Sequence, residues 1–241
     1  MKNGHNLRAV LFDLDGTLLL NSRSPAEQFI LYCSRLGHTF NADVPRRLER
    51  WEHEYWSKRH QVEADLAEHG KDRFWLAYNI QQLLYLGVNG PVENYAAQID
   101  AWFRDEYVEA PIVPDDVRPT LTHLRHSGLT VGLVSNRSTS LATITAENGL
   151  ADLFDFTLSA GEADSWKPEP GIFSRSLQIA QATPETSVYV GDNYYADIVG
   201  ARGAGLTPIL VDRRGVFPDA DCRVIREIGE LESLTNFGVE L

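Results

Sequence analysis

The chain has 241 residues, with 22 Lys plus Arg against 34 Asp plus Glu, a formal net charge of −12. An acidic balance without a local basic stripe argues against a binder of nucleic acid polymers, which works by neutralising phosphates. No apolar run approaches the roughly 20 residues that cross a bilayer, and the start MKNGHN lacks the apolar stretch of a signal peptide, so the expectation is a cytoplasmic protein without a membrane partner.

LRAVLF (7–12) is a short, largely apolar run closed by the acidic turn DLDG, the pattern of a strand buried on both faces. Asp13 and Asp15 stand where that strand ends. Two carboxylates so close would repel each other and resist desolvation unless a cation lay between them. A hard divalent ion with oxygen ligands resolves the conflict, and Mg2+ suits a site that also receives phosphate. An EF-hand starting at Asp13 fails, because its sixth position is Leu18 and its twelfth Ser24. An acidic turn that merely ends a strand is the alternative reading of DLDGT taken alone.

Residues 24–110 hold no convincing strand. Apolar residues recur at helical spacing, as in Phe29 and Leu36, Trp51 and Tyr55, or Trp75, Tyr78, Leu83 and Leu86. Gly37, Gly70 and GVNGP (87–91) divide the stretch into about four helices. Four of the five tryptophans, Trp51, Trp56, Trp75 and Trp102, lie in it and are expected in its core. Its densest basic run, 46–50, is answered by Glu49, Glu52 and Glu54 and reads as a mixed solvated helix face. The aromatic content makes self-association into a homodimer through this insert an expectation.

Strand-like runs then alternate with helical segments: LTVGLV (129–134), SVYV (187–190) and PILV (208–211), with helices opened near Pro119, Ser138 or Thr139, and Pro170. Such alternation predicts right-handed βαβ units and a parallel sheet, an α/β fold. The glycines of GARGAG (200–205) fall within and at the end of a helix, so they read as helix packing and a C-cap instead of a dinucleotide fingerprint. Cys33 and Cys222 are far apart, without a CxxC pattern, and read as free thiols. The segment 212–241 is the least informative.

Three further positions follow this scheme. Ser135-Asn136-Arg137 succeeds LTVGLV and offers a hydroxyl and N–H donors suited to a phosphoryl oxygen. Pro168 disfavours helix at Lys167, so that ammonium can sit at a fixed point on a loop. Gly191-Asp192-Asn193 succeeds SVYV, with Asp197 five residues beyond Asp192. Ligands of open α/β sheets bind beyond the carboxyl ends of the strands, so Asp13, Ser135 and Asp192 are expected to share one crevice.

The ordered set DLDGT, VSN, a loop KP and GDNxxxD, followed from residue 8 to about 213, resembles the haloacid dehalogenase-like hydrolases with a helical cap. That resemblance implies a three-layer α/β/α Rossmann-like core, here 1–21 and 111–241, with an inserted all-helical mobile cap over 22–110. It implies an Mg2+-dependent phosphohydrolase acting on a small phosphorylated metabolite through an aspartyl-phosphate. Asp13 would be the nucleophile, Asp15 the general acid/base and Lys167 the stabilising cation. Ser135, Asn136, Lys167 and Arg137 would bind phosphate or substrate. Asp13, Asp192 and Asp15, the last through its main-chain carbonyl, would hold the metal, with Asn193 and Asp197 behind them. Arg137 and Trp166 are candidate contacts to the leaving group. Among rivals, a 2-haloacid dehalogenase would lack Asp15, and a phosphonate-cleaving enzyme needs a cap lysine, for which only Lys58 and Lys71 are present. A phosphomutase would keep the same motifs. A catalytically silent regulatory protein is expected to have lost a charged member of the set, and Asp13, Asp15, Lys167 and Asp192 are all present.

Overall fold

The computed structural model describes residues 7–108 and 111–233. Packing divides the chain into two compact units, Met1–Leu20 with Pro111–Leu241 and Asn21–Ala110. In chain order, strand β1 (Ala9–Phe12) leads into helices α1 (Pro25–Arg35), α2 (Val44–Ser57), α3 (Arg59–His69), α4 (Lys71–Tyr85) and α5 (Val92–Asp105). There follow α6 (Val117–His126), β2 (Thr130–Ser135), α7 (Ala142–Glu147), β3 (Phe156–Ser159), α8 (Ala160–Ala163), α9 (Pro170–Ala180), β4 (Ser187–Gly191), α10 (Val199–Gly203), β5 (Thr207–Val211) and β6 (Arg223–Ile225).

The first unit is a parallel sheet in the order β3-β2-β1-β4-β5-β6. Side-chain alternation sends Val10 and Phe12 to one face and Ala9 and Leu11 to the other, all fully buried. On the first face Val117, Leu121 and Leu124 of α6 close the core, joined by Ile228 and Leu231. On the second, Ile172, Phe173 and Leu177 of α9 and Ala201 of α10 do so. Each fully buried large side chain is worth roughly 1.5–3 kcal/mol, which is why AVLF (9–12) is apolar throughout instead of alternating. The result is the three-layer α/β/α arrangement.

Strands β3 and β6 had no apolar run to announce them. In FTLS the first two residues are only half-buried, and in RVI two of three are exposed, because both strands lie at sheet edges. Chain order reverses between β1 and β4, where Phe12 is level with Leu133 of β2 and Val190 of β4. A crevice beyond the strand ends is expected at such a reversal.

The second unit is helical. Ser24 caps α1 through a reciprocal capping box with Glu27, and Pro25 occupies the first helical position. Phe29, Tyr32, Leu48, Leu83, Ala96 and Ile99 form its core. Five helices appear among the described residues instead of about four, because α2 and α3 part at Lys58 (φ −93°, ψ 70°), where no glycine or proline marks the break. Two of the four tryptophans are not core: Trp56 is 38% and Trp75 54% exposed. Helix α3 contributes no buried residue to cover them. The acidic answer to the basic run is not simply a solvated face either. Glu49 and Glu52 are buried, and Gln82 Nε2 donates to Glu52 Oε1 at 2.6 Å. Cys33 and Cys222 are free thiols, and burial pushes Cys33 up to about 12. Among the described residues no helix is long and apolar enough to cross a membrane.

Candidate active site

Asp13 directly follows β1, and its N–H donates to the Val190 carbonyl at 2.9 Å, which extends the ladder and places its carboxylate beside the end of β4. Asp192 follows β4, Ser135 ends β2, and Lys167 sits in the loop between α8 and α9. The level register of β1, β2 and β4 therefore gathers residues 122 and 179 positions from Asp13, at Ser135 and Asp192, at one edge of the sheet.

The Lys167 ammonium lies 2.6 Å from Asp13 Oδ1 and 2.7 Å from Asp197 Oδ1, and all three side chains are buried. The Tyr189 ring faces that ammonium at 5.4 Å, while its hydroxyl donates to the Val134 carbonyl at 2.9 Å. Asp13, Asp192 and Asp197 offer carboxylate oxygens all within 4.8 Å of one another. Thr17 Oγ1, fully buried, stands 3.5 Å from Asp13 Oδ2 and 3.3 Å from Asp192 Oδ1 and donates to one at a time.

Electrostatics follow from this crowding. Burial pushes the Asp13 carboxyl up to about 7; Lys167 opposes the rise, and the Asp197 and Asp15 carboxylates add to it. Burial by itself would lower Lys167, but Asp13 and Asp197 outweigh it and hold the ammonium well above its ordinary range. One ammonium thus faces more negative charge than it can balance. A hard divalent cation with oxygen ligands is the group that this donor set fits.

Local backbone makes the cluster possible at two glycines. Gly16 has φ +82°, and a Cβ there would collide with the Asp192 carboxylate; a Cβ at Gly191 would collide with that of Asp197. Asn193 caps a single π-helical turn, Tyr194–Ile198, its Oδ1 accepting from the N–H groups of Tyr195 and Ala196 at 3.0 Å. The turn returns Asp197 to the site, and the Asn193 N–H donates to Asp197 Oδ2 at 2.9 Å.

Asp13, Lys167, Asp192 and Asp197 are thus brought together, with Ser135 buried at the end of the strand next to β1. Three positions differ from the sequence expectation. Asp197, expected behind the metal ligands, supplies the third clustered carboxylate beside Asp13 and Asp192. Both ends of the Asn136 amide are turned to the Lys167 main chain, with Oδ1 accepting from its N–H at 2.7 Å and Nδ2 donating to its carbonyl at 3.0 Å. Asn136 therefore fixes the lysine loop, and its side chain is not aimed at a phosphoryl group. The Arg137 guanidinium binds Asp15, Nε to Oδ2 at 2.9 Å and Nη2 to Oδ1 at 2.7 Å. Trp166 packs, half-buried, against the core face closed by α9. Tyr189 was not foreseen; its only trace in the sequence is a polar ring inside the buried run SVYV.

A family model described as haloacid dehalogenase-like hydrolase matches residues 7–205. The chain belongs to that family. A human relative of this haloacid dehalogenase-like hydrolase, haloacid dehalogenase-like hydrolase domain-containing protein 3, is 38% identical over 116 residues, which span 48% of this chain and 44% of that protein, less than half its length. The ribulose-1,5-bisphosphate 5-phosphatase of Halopiger xanaduensis is 27% identical over 209 residues, 85% of this chain and 84% of its own. The solved L-2-haloacid dehalogenase RSc1362 superposes with a TM-score of 0.63 over 97% of this chain and 100% of that one; at 20% identity the likeness is one of fold.

Proposed function

We propose that this haloacid dehalogenase-like hydrolase is an Mg2+-dependent phosphatase that cleaves small-molecule phosphate monoesters through an aspartyl-phosphate on Asp13. The observation that carries this reading is the buried Asp13 carboxylate, paired to Lys167 at 2.6 Å and grouped with Asp192 and Asp197 as oxygen donors for one cation. The similarity to a relative named as a phosphatase supports it.

The carboxylates of Asp13, Asp192 and Asp197, with the main-chain carbonyl of Asp15, would hold Mg2+. When bound, that ion supplies positive charge against the anionic phosphoryl group. The chain's own residues do the rest. Lys167 lowers the repulsion between Asp13 and the ester, and the Ser135 hydroxyl donates a hydrogen bond to a phosphoryl oxygen. A carboxylate oxygen of Asp13 forms a bond to phosphorus as the bond from phosphorus to the ester oxygen breaks. Asp15 gives its proton to the departing oxygen, then takes one from the water that attacks the intermediate, releasing phosphate and restoring Asp13.

Hydrolysis of p-nitrophenyl phosphate in Mg2+, abolished by EDTA and restored by added Mg2+, is the expected result. A panel of sugar phosphates, nucleotides and phosphoglycolate then ranks substrates by kcat/KM. Hydrolysis that survives EDTA overturns the metal requirement, and failure on the whole panel overturns the phosphatase reading.

A further inference from the structure

Arg137 and Asp15 are mounted on two stretches of backbone that are each tied down. Beyond β2, the Arg137 N–H donates to Ser135 Oγ at 3.3 Å and its carbonyl accepts from the Gly161 N–H at 3.3 Å. Beyond β1, Asp15 makes an isolated bridge with Leu19, and the Gly16 N–H donates to the Leu19 carbonyl at 2.8 Å. The register that sets Phe12 level with Leu133 brings the residues just past the two strand ends alongside each other. From those fixed points the guanidinium grips both oxygens of one carboxylate, at 2.7 and 2.9 Å.

The pair is open to solvent, 39% exposed on Arg137 and 49% on Asp15, so it adds little to folding stability. Its bidentate geometry does something else. A lone carboxylate at such exposure turns freely among rotamers, whereas a planar fork of two N–H donors permits one orientation. Arginine is permanently charged, so the fork is offered to Asp15 whatever the protonation state of that carboxyl. When one Asp15 oxygen carries the proton for the ester, the other still accepts from the fork, so the donor stays oriented, and the geometry of general acid catalysis tolerates little misplacement.

We propose that Arg137 is a positioning residue that acts through Asp15, fixing the general acid/base, and is not a contact to the substrate's phosphate or leaving group. The inference rests on the phosphatase reading above. In the step concerned, an Asp13 oxygen bonds to phosphorus, the electron pair of the breaking bond goes to the ester oxygen, and the Asp15 proton passes to that oxygen. Asp15 is left as the carboxylate that receives both Arg137 hydrogen bonds.

The test measures kcat/KM, which reports the transfer to Asp13, for p-nitrophenyl phosphate, phenyl phosphate and an alkyl phosphate in excess Mg2+. Wild type is compared with Arg137→Ala, Arg137→Lys, Asp15→Asn and the Arg137→Ala/Asp15→Asn double variant, with circular dichroism and melting temperature recorded for each. A good leaving group needs little proton donation, so Arg137→Ala should lower kcat/KM at least tenfold more for the alkyl ester than for the p-nitrophenyl ester. Arg137→Lys, which keeps the charge and loses the fork, should fall between, and Arg137→Ala should add no further loss in the Asp15→Asn background. An equal loss across the three esters with a raised KM makes Arg137 a substrate contact and overturns the proposal; so does no loss with any ester, or an additive loss in the double variant. These results require a wild type that hydrolyses the series. A wild type inactive on all three esters instead overturns the phosphatase reading, and the proposal with it.

Discussion

Lys167 Nζ lies 2.6 Å from Asp13 Oδ1, and the same ammonium reaches Asp197 Oδ1 at 2.7 Å. The ends of β1 and β4 and the loop that carries Lys167 converge on that contact, so the residue that balances the nucleophile also anchors the carboxylate behind it.

Replacing Lys167 by Met strands two buried carboxylates. Removing one partner from a buried pair typically costs about 3–5 kcal/mol. Lys167→Met is therefore expected to lose stability of that order in urea unfolding at pH 8, measured without divalent cations, and to lose hydrolysis. Asp197→Asn, which leaves the contact with Asp13, should lose less. A Lys167→Met variant as stable as wild type contradicts the buried pairing.

Asp13→Asn keeps an oxygen that can accept from Lys167 but removes the nucleophile. The fold should persist, with an unchanged circular dichroism spectrum, while kcat falls by about a thousandfold or more. Metal-dependent turnover that survives in this variant contradicts the assignment of Asp13.

Gly16→Ala places a Cβ against the Asp192 carboxylate on a backbone with φ +82°. Strain of this kind costs on the order of 1–3 kcal/mol. The melting temperature is expected to drop, and Mg2+ should raise it less than in wild type, because Asp192 must move. An equal response to Mg2+ in both proteins argues against Asp192 as a ligand.

Glu52 supplies a pH effect away from the site. Burial raises its carboxyl to about 8, and Glu49 adds to the rise while the hydrogen bond from Gln82 opposes it. The folded form binds this proton more tightly than the unfolded chain, whose ordinary value is 4.5. The stabilisation is therefore complete below that ordinary value and is lost as pH rises through about 8, at up to about 1.4 kcal/mol per pH unit across the window. Glu52→Gln, unable to ionise, should flatten the dependence and be the more stable protein at pH 8.5 in urea unfolding. Parallel curves for the two proteins would falsify the assignment to Glu52.

The helical insert shows where sequence reading stops. Periodicity placed its helices, but Trp75, spaced from Tyr78 for one helix face as Trp51 is from Tyr55, ends up exposed. Periodicity says which residues share a helix face, and only packing says whether another element covers that face. The buried Glu49 and Glu52 make the same point in reverse, since charge in a sequence carries no record of a partner such as Gln82, thirty positions from Glu52.

Within the first unit the division is equally physical. The strands β1, β2, β4 and β5, the acidic turn after β1 and the order of the motifs were legible in the sequence, because an apolar run followed by glycine and aspartate is a local pattern. So was the family, which those motifs carry. Only the tertiary structure decided that Asp197 joins Asp13 and Asp192, that Asn136 holds the Lys167 main chain, and that Arg137 grips Asp15. Those choices depend on the register between β1 and its neighbours and on a π-helical turn after Asn193. The grips of Asn136 and Arg137 join residues through space with no trace in local spacing, whereas the spacing of GDNxxxD only set Asp197 near Asp192 and the turn carried it into the cluster.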